Sequence, residues 1–218
     1  MKALFVCFEG IDGAGKTGAS IWFHEELVKA GINAIRTREP GGTPLAEAVR
    51  ELTIWGIPNN EEEDYPPMAE ALMYNASRSI HLHNLILPQL AKGVTVVTDR
   101  FCDSTYGHQG GGRGMDIEKL KQLHQLAHDG IVPDLTFLFD GDPAVFKARM
   151  VSRNPDRLEK QPIDFQHRSR QAHLDQVATD PTRYVVIDAE QSEAAVRAQL
   201  LPHVMAVINR IWQRPATK

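Results

Sequence analysis

Cysteine is nearly absent from this chain. Among 218 residues only Cys7 and Cys102 occur, too few for a disulfide framework. Cys7 lies in an apolar run, where a thiol acts as a small hydrophobe, and packing is the expected role of Cys102 as well. No apolar stretch approaches the length of a membrane span. The run Ala3–Phe8 ends at Glu9 and is too short for the apolar core of a signal peptide, so a cytoplasmic protein is expected. Excess positive charge is also missing: the net charge is −4 and the pI about 6.1. Nucleic acid finds no basic footprint here, and a polyanionic ligand has to be met by a few placed arginines. There is no Asn-Lys-x-Asp guanine reader, which argues against a GTPase. Repeats and Pro/Ser linkers are lacking too, so nothing divides the chain.

What is present reads as one α/β domain. A composition of 42% hydrophobic and 24% charged residues is that of a folded chain rather than a disordered one. Apolar, β-branched runs at Ala3–Phe8, Asn33–Thr37, Val94–Thr98, Leu135–Phe139 and Tyr184–Ile187 predict strands. Between them, helices are expected near Lys16–Ala30, Pro44–Trp55, Pro66–Ala91, Ile117–His128, Pro143–Val151, Asp164–Ala178 and Ser192–Trp212. That alternation is the pattern of a parallel sheet with helical crossovers. One domain is expected over 1–213, followed by a frayed tail at 214–218. Phe101–Met115, with its run Gly110-Gly111-Gly112-Arg113-Gly114, and Ser152–Ile163 read as long loops. Both suit mobile lids or binding loops, and both suit plain surface excursions. Glu61–Asp64 reads as a solvated turn.

The strongest motif is Gly10-Ile11-Asp12-Gly13-Ala14-Gly15-Lys16-Thr17, which fits G-x-x-x-x-G-K-[ST] between a strand and a helix. Its glycines let backbone N–H groups and the helix N-terminus face phosphate oxygens. Lys16 adds a cation at the β- and γ-phosphates, and the Thr17 hydroxyl can ligate Mg²⁺. Asp99-Arg100 closes the third strand at the sheet edge where ligands gather. A carboxylate there can hold Mg²⁺ through water, and an arginine can clamp a phosphate. Arg38-Glu39-Pro40-Gly41-Gly42-Thr43 follows the second strand at the same edge, and an ordinary turn would look the same. Tyr74 and Arg78 share one helix face. They suit a ring that stacks a base beside a guanidinium that bonds its carbonyl, or a core aromatic beside a surface arginine. His124 and His128 are four apart with no third ligand nearby, which predicts a solvated helix face rather than a metal site. Trp22, Trp55 and Trp212 read as packing anchors.

Together these segments resemble bacterial thymidylate kinases. The likeness runs from the P-loop written Phe-Glu-Gly-Ile-Asp-Gly-Ala-Gly-Lys-Thr through Thr37–Thr43, Leu72–Arg78, Asp99-Arg100 and Gln109–Gly114. It continues through Asp156-Arg157-Leu158-Glu159 and Val186–Ala189. The resemblance implies a P-loop kinase domain with a five-stranded parallel sheet and a lid at about 152–163. It also implies Mg-ATP as donor, a pyrimidine deoxynucleoside monophosphate as acceptor, and a homodimer. Residue by residue, it implies that Asp12 meets the sugar 3′-hydroxyl. Arg38, Glu39, Asp99 and Arg100 would surround the acceptor phosphate and metal. Arg50 and Tyr74 would line the base pocket, Arg78 would reach the base carbonyl, and Thr105 and Gln109 would close the base edge. Gly13 stands where another branch of the family carries an arginine. A compensating cation is therefore expected from Arg153 first, then Arg157 and Arg149.

Some residues depart from the family pattern. Thr105-Tyr106-Gly107-His108-Gln109 stands where Ser/Thr-x-Ala-Tyr-Gln is common, with His108 replacing the tyrosine that faces the sugar. Tyr74 replaces a frequent phenylalanine, and Gly18 replaces a hydroxyl residue. Tyr74, Tyr106, Gly107 and His108 predict a roomier or more polar base pocket. That makes 5-hydroxymethyl-dUMP an alternative acceptor to dTMP. A P-loop switch that binds nucleotide without catalysis is the alternative of a different class.

Overall fold

The computed structural model describes residues 3–56, 65–150 and 156–212. Five strands alternate with helices: β1 (Phe5–Glu9), α1 (Lys16–Lys29), β2 (Ala34–Arg38), α2 (Pro44–Trp55), α3 (Pro67–His81), α4 (Leu87–Ala91), β3 (Thr95–Asp99), α5 (Cys102–Thr105), α6 (Ile117–His128), β4 (Leu135–Asp140), α7 (Pro143–Arg149), α8 (Ile163–Thr179), β5 (Tyr184–Asp188) and α9 (Glu193–Trp212). All strand pairs are parallel, in the order β2-β3-β1-β4-β5. Each strand lies within two residues of its predicted position.

Alternation along β1 builds the core on both sheet faces. Leu4, Val6 and Phe8 join Phe23, Phe137, Phe139 and Leu200 on one side. Phe5 and Cys7 join Val96, Phe101, Cys102 and Leu120 on the other. Burial on both faces is why β1 reads as an apolar run up to Glu9 and β3 as a β-branched one up to Asp99. Helix ends follow local chemistry. Thr43 caps α2 through the Ala46 N–H with Pro44 in the first turn, and Asp116 caps α6 through the Glu118 N–H.

Several expectations need correction. The long helix predicted over Pro66–Ala91 is interrupted by a π-helical turn at Leu82–Ile86, just before Pro88. Proline has no N–H for the regular ladder and crowds the preceding turn, which the wider turn accommodates. Phe101–Met115 is not a loop: α5 runs directly into a π-helix at Tyr106–Gly112, and most of both is buried. Its glycines serve packing rather than flexibility. A Cβ on Gly111 would lie 2.3 Å from the Arg168 carbonyl oxygen, so only glycine lets α8 come this close. His124 and His128 are not solvated but buried, with Nε2 of each at 2.9 and 2.8 Å from the Ile131 carbonyl and the Asn75 side-chain oxygen. Trp55 is exposed rather than a packing anchor. Glu61–Asp64, the N-terminal part of the expected lid and the tail at 214–218 lie outside the described residues.

Candidate active site

The strand ends gather the polar groups at one sheet edge. Register places Asp99 beside both Phe8 of β1 and Arg38 of β2. The loop after β1 turns into α1 at Gly15, so Lys16 and Thr17 open that helix. Lys16 is buried, and its Nζ donates to the Ile11 carbonyl at 2.7 Å. Burial, and then the neighbouring charge of Arg100, bring its pKa down to about 8. The Thr17 hydroxyl donates to Asp99 Oδ2 at 2.5 Å. These two are hard oxygen donors beside the phosphate loop, a set that suits Mg²⁺. Gly13–Gly18 also spells G-x-G-x-x-G, the dinucleotide-binding pattern. The sheet separates the two readings, because here β3 lies between β1 and β2, whereas the dinucleotide fold pairs its first two strands directly.

Arg100 follows β3 with a left-handed backbone, φ 74°. For a side-chain-bearing residue this costs on the order of 1–3 kcal/mol and points to a functional constraint. Its guanidinium forms an ion pair with Asp12. Nη1 faces the Gly10 carbonyl and Ser104 Oγ, each at 3.0 Å, and His108 Nε2 at 3.2 Å. Arginine only donates, so His108 Nε2 accepts and its proton sits on Nδ1, which has no partner among the described residues. Burial opposes ionisation of Asp12, but Arg100 and then Lys16 outweigh it and hold the carboxyl below the usual carboxylate range.

A second group of side chains faces the same space. Glu39 Oε2 accepts from Arg78 Nε at 2.6 Å, and Glu39 Oε1 lies 3.1 Å from His81 Nδ1. Arg78 also donates to Thr105 Oγ1 at 3.1 Å and to the Phe101 carbonyl at 3.0 Å, which fixes its fork. Arg50 donates to the Pro40 carbonyl, and Arg38 pairs with Glu47. Tyr74 is buried, and desolvation, then Glu70, push its phenol pKa up. Gln109 donates to Glu70 Oε1 at 2.8 Å.

One cavity of about 390 Å³ joins the two groups. Asp12, Gly13, Gly15, Lys16, Thr17, Asp99 and Arg100 line it from the phosphate-loop side. Arg38, Glu39, Arg50, Tyr74, Arg78, Thr105, His108 and Gln109 line it from the other. Ala14 instead borders a neighbouring cavity of about 480 Å³ with Gly15, Gly18, Gln191 and Arg197. Gly18 leaves open space there, with no atom of the described residues within 4 Å of where a Cβ would stand. Gly10 lines neither cavity, and its carbonyl supports Arg100.

The arginines expected from the lid are placed differently from one another. Arg153 lies outside the described residues. Arg157 pairs with Glu70 at 3.0 Å, donates to the Thr53 carbonyl and lies over the Tyr65 ring, and it does not line the cavity. Arg149 lines both cavities and is tied to the Ala189 and Glu190 carbonyls. Glu70 is wholly buried and also binds Arg113, joining α3, the π-helix and the 156–160 turn.

The expected wall of substitutions does not form. Tyr106 packs into the core with Phe101, Cys102 and Leu120. Gly107 faces α8, where a Cβ would lie 2.3 Å from His173 Nε2, so the missing methyl leaves room for that ring and not for a ligand. Only Tyr74 and His108 of the four reach the cavity. Direction around a π-helix cannot be read from helical spacing, and the modified-base pocket loses its basis.

Two groups were missed from sequence. Glu9 is wholly buried, and desolvation, then Asp103, push its carboxyl up to about 7 against the pull of Arg100. The available signal was a charged residue closing an otherwise apolar strand. Ser104, beside Arg100 and lining the cavity, carried no signal of its own.

The buried histidines make stability depend on pH. Desolvation leads in lowering His108 well below its ordinary value, His124 and His173 to about 4, and His128 to about 3. Each favours folding above the unfolded histidine pKa of about 6.5, a contribution lost as pH falls toward the folded values. Glu9 acts oppositely, since its raised pKa removes stability as pH rises from the usual carboxylate value to about 7. Four histidines outweigh one glutamate. The urea midpoint is therefore expected to fall steadily from pH 6.5 to 4.5; a midpoint constant across that window would contradict these buried neutral rings.

Residues 8–200 match the family model described as thymidylate kinase. The chain is 42% identical over 200 residues to a thymidylate kinase of Bifidobacterium longum (strain DJO10A), covering 92% of this chain and 96% of that one. It is 43% identical over 212 residues to a thymidylate kinase of Ectopseudomonas mendocina (strain ymp), covering 94% and 98%. With a thymidylate kinase of Pelotomaculum thermopropionicum it shares 40% identity over 211 residues, 96% of each chain.

Proposed function

This chain belongs to the thymidylate kinase family, and from that premise we propose how it transfers the γ-phosphoryl group of ATP to dTMP, giving ADP and dTDP. The observation that carries the reading is a single cavity lined by the phosphate loop on one side and by an aromatic–arginine group on the other. A nucleotide switch needs only the first half.

The phosphate loop, residues Gly10 to Thr17, holds the donor phosphates, with Lys16 at the transferring group. Arg149 meets the donor, a reading supported by its lining both cavities. Thr17 and Asp99 would hold Mg²⁺, which would supply charge neutralisation for the donor phosphates. Arg100 and Arg38 receive the acceptor phosphate. Tyr74 stacks on the thymine, Arg50 lies beside it, and Arg78, Thr105 and Gln109 take its polar edge. Asp12 accepts from the 3′-hydroxyl, and His108 stands against the sugar. No covalent intermediate is needed, because transfer is alignment plus charge neutralisation in a space that excludes water.

The chain works as a homodimer. Exposed apolar side chains on three adjoining helices, Leu52 and Trp55 of α2, Met68 and Leu72 of α3, and Leu126 of α6, support that reading. A monomeric mass in solution would exclude it. Among the described residues no helix is long and apolar enough to cross a membrane. A cytoplasmic location suits the nucleotide substrates, and recovery in a washed membrane fraction would argue against it.

ADP release from Mg-ATP is expected only when an acceptor is present. It should be greatest with dTMP, with no preference for 5-hydroxymethyl-dUMP and weak use of ribo-UMP. Release that no nucleoside monophosphate stimulates would overturn the acceptor reading.

A further inference from the structure

Strand β1 ends on a carboxylate where a central parallel strand elsewhere carries apolar groups. Alternation puts Glu9 on the same sheet face as Phe5 and Cys7, and no part of it reaches solvent. Such a carboxylate persists only when hydrogen bonds meet it. Glu9 Oε1 accepts the Phe101 N–H at 2.6 Å and the Ser104 N–H at 3.2 Å, and Oε2 accepts the Ser104 hydroxyl at 2.6 Å. These three donors belong to the turn that immediately follows Arg100, and the Cys7 thiol of β1 adds a weaker contact to Oε1 at 3.7 Å. Ser104 Oγ in turn accepts from Arg100 Nη1 at 3.0 Å. The left-handed backbone of Arg100 has to be held from outside, since nothing in an arginine side chain favours it.

We infer that Glu9 is a positioning residue for Arg100: it pins the 101–104 turn and, through the Ser104 hydroxyl, sets where the guanidinium stands. This rests on the reading that Arg100 receives the acceptor phosphate. Asp12, the Gly10 carbonyl and His108 also hold that guanidinium. Loss of Glu9 therefore shifts Arg100 rather than freeing it.

Glu9→Gln keeps the size of the side chain but puts an amide donor where Oε2 accepted the Ser104 proton. Ser104→Ala removes the bridging hydroxyl and leaves the buried carboxylate in place, so the test does not hang on one variant folding. Each is expected to lower kcat/KM for dTMP roughly 10–100-fold, as displacement of an aligning group does, with the ATP KM unchanged. In an Arg100→Ala background neither should cost anything further, because the path runs through Arg100. A purely structural role would disturb ATP use as well and would add to the Arg100→Ala loss. Full dTMP activity in both single variants, or losses that add in the double variants, overturns the inference. If Arg100→Ala itself spares dTMP use, the role of Arg100 fails and this inference fails with it.

Discussion

Lys16→Ala is expected to abolish phosphoryl transfer while leaving the protein folded. The ammonium sits at the mouth of α1, and its one hydrogen-bond partner among the described residues is the neutral Ile11 carbonyl. Its lowered pKa, set first by burial and then by Arg100, means that its buried surroundings disfavour the charge. The lysine is therefore kept at a cost to stability, and its loss should leave the melting temperature unchanged or raised. Removing a preorganised cation or donor from a developing charge lowers kcat on the order of 10²–10³-fold, and a γ-phosphoryl group carries more charge than an acyl oxyanion. Steady-state ADP release and a thermal melt on the same preparation decide the matter. Near-normal turnover in a folded variant would sink the assignment of the donor site.

Arg100→Ala is expected to damage acceptor use far more than ATP use. A hydrogen bond to a charged group contributes about 1.5–3 kcal/mol, so kcat/KM for dTMP should fall roughly 10–200-fold. Asp12 depends on the same guanidinium for its low pKa, so the variant also weakens the expected partner of the 3′-hydroxyl. Arg100→Lys should recover only part of the loss, because an ammonium cannot reproduce a fork that meets Asp12, Gly10 and Ser104 at once. A loss confined to the ATP KM would mean that the donor and acceptor sides have been exchanged.

Arg157 shows how the contacts of a residue can depend on segments far from it in the chain. Its place in Asp156-Arg157-Leu158-Glu159 made it a candidate for the transferring phosphoryl group, yet here it bridges Glu70 and the Thr53 carbonyl. Nothing local to 156–159 encodes Glu70, which lies 87 residues earlier. Tyr106 is similar. Thr105 and His108 close to it in sequence line the cavity, but the π-helical winding turns its ring into the core.

The positions of all five strands, the ends of α2 and α6, the phosphate loop and the identity of most cavity-lining residues were determined by the amino-acid sequence alone. Buried parallel strands announce themselves as apolar runs, caps act over three or four residues, and the phosphate loop is a contiguous motif. Tertiary structure alone decided the rest. It turned Gly111 and Gly112 from part of an expected flexible loop into a packing surface for α8 and set Gly110 against α6, and it buried His124 and His128. It also brought Glu9 to Ser104, 95 residues away in sequence. Such outcomes depend on which distant segments meet and at what angle, and no local propensity or spacing carries that information.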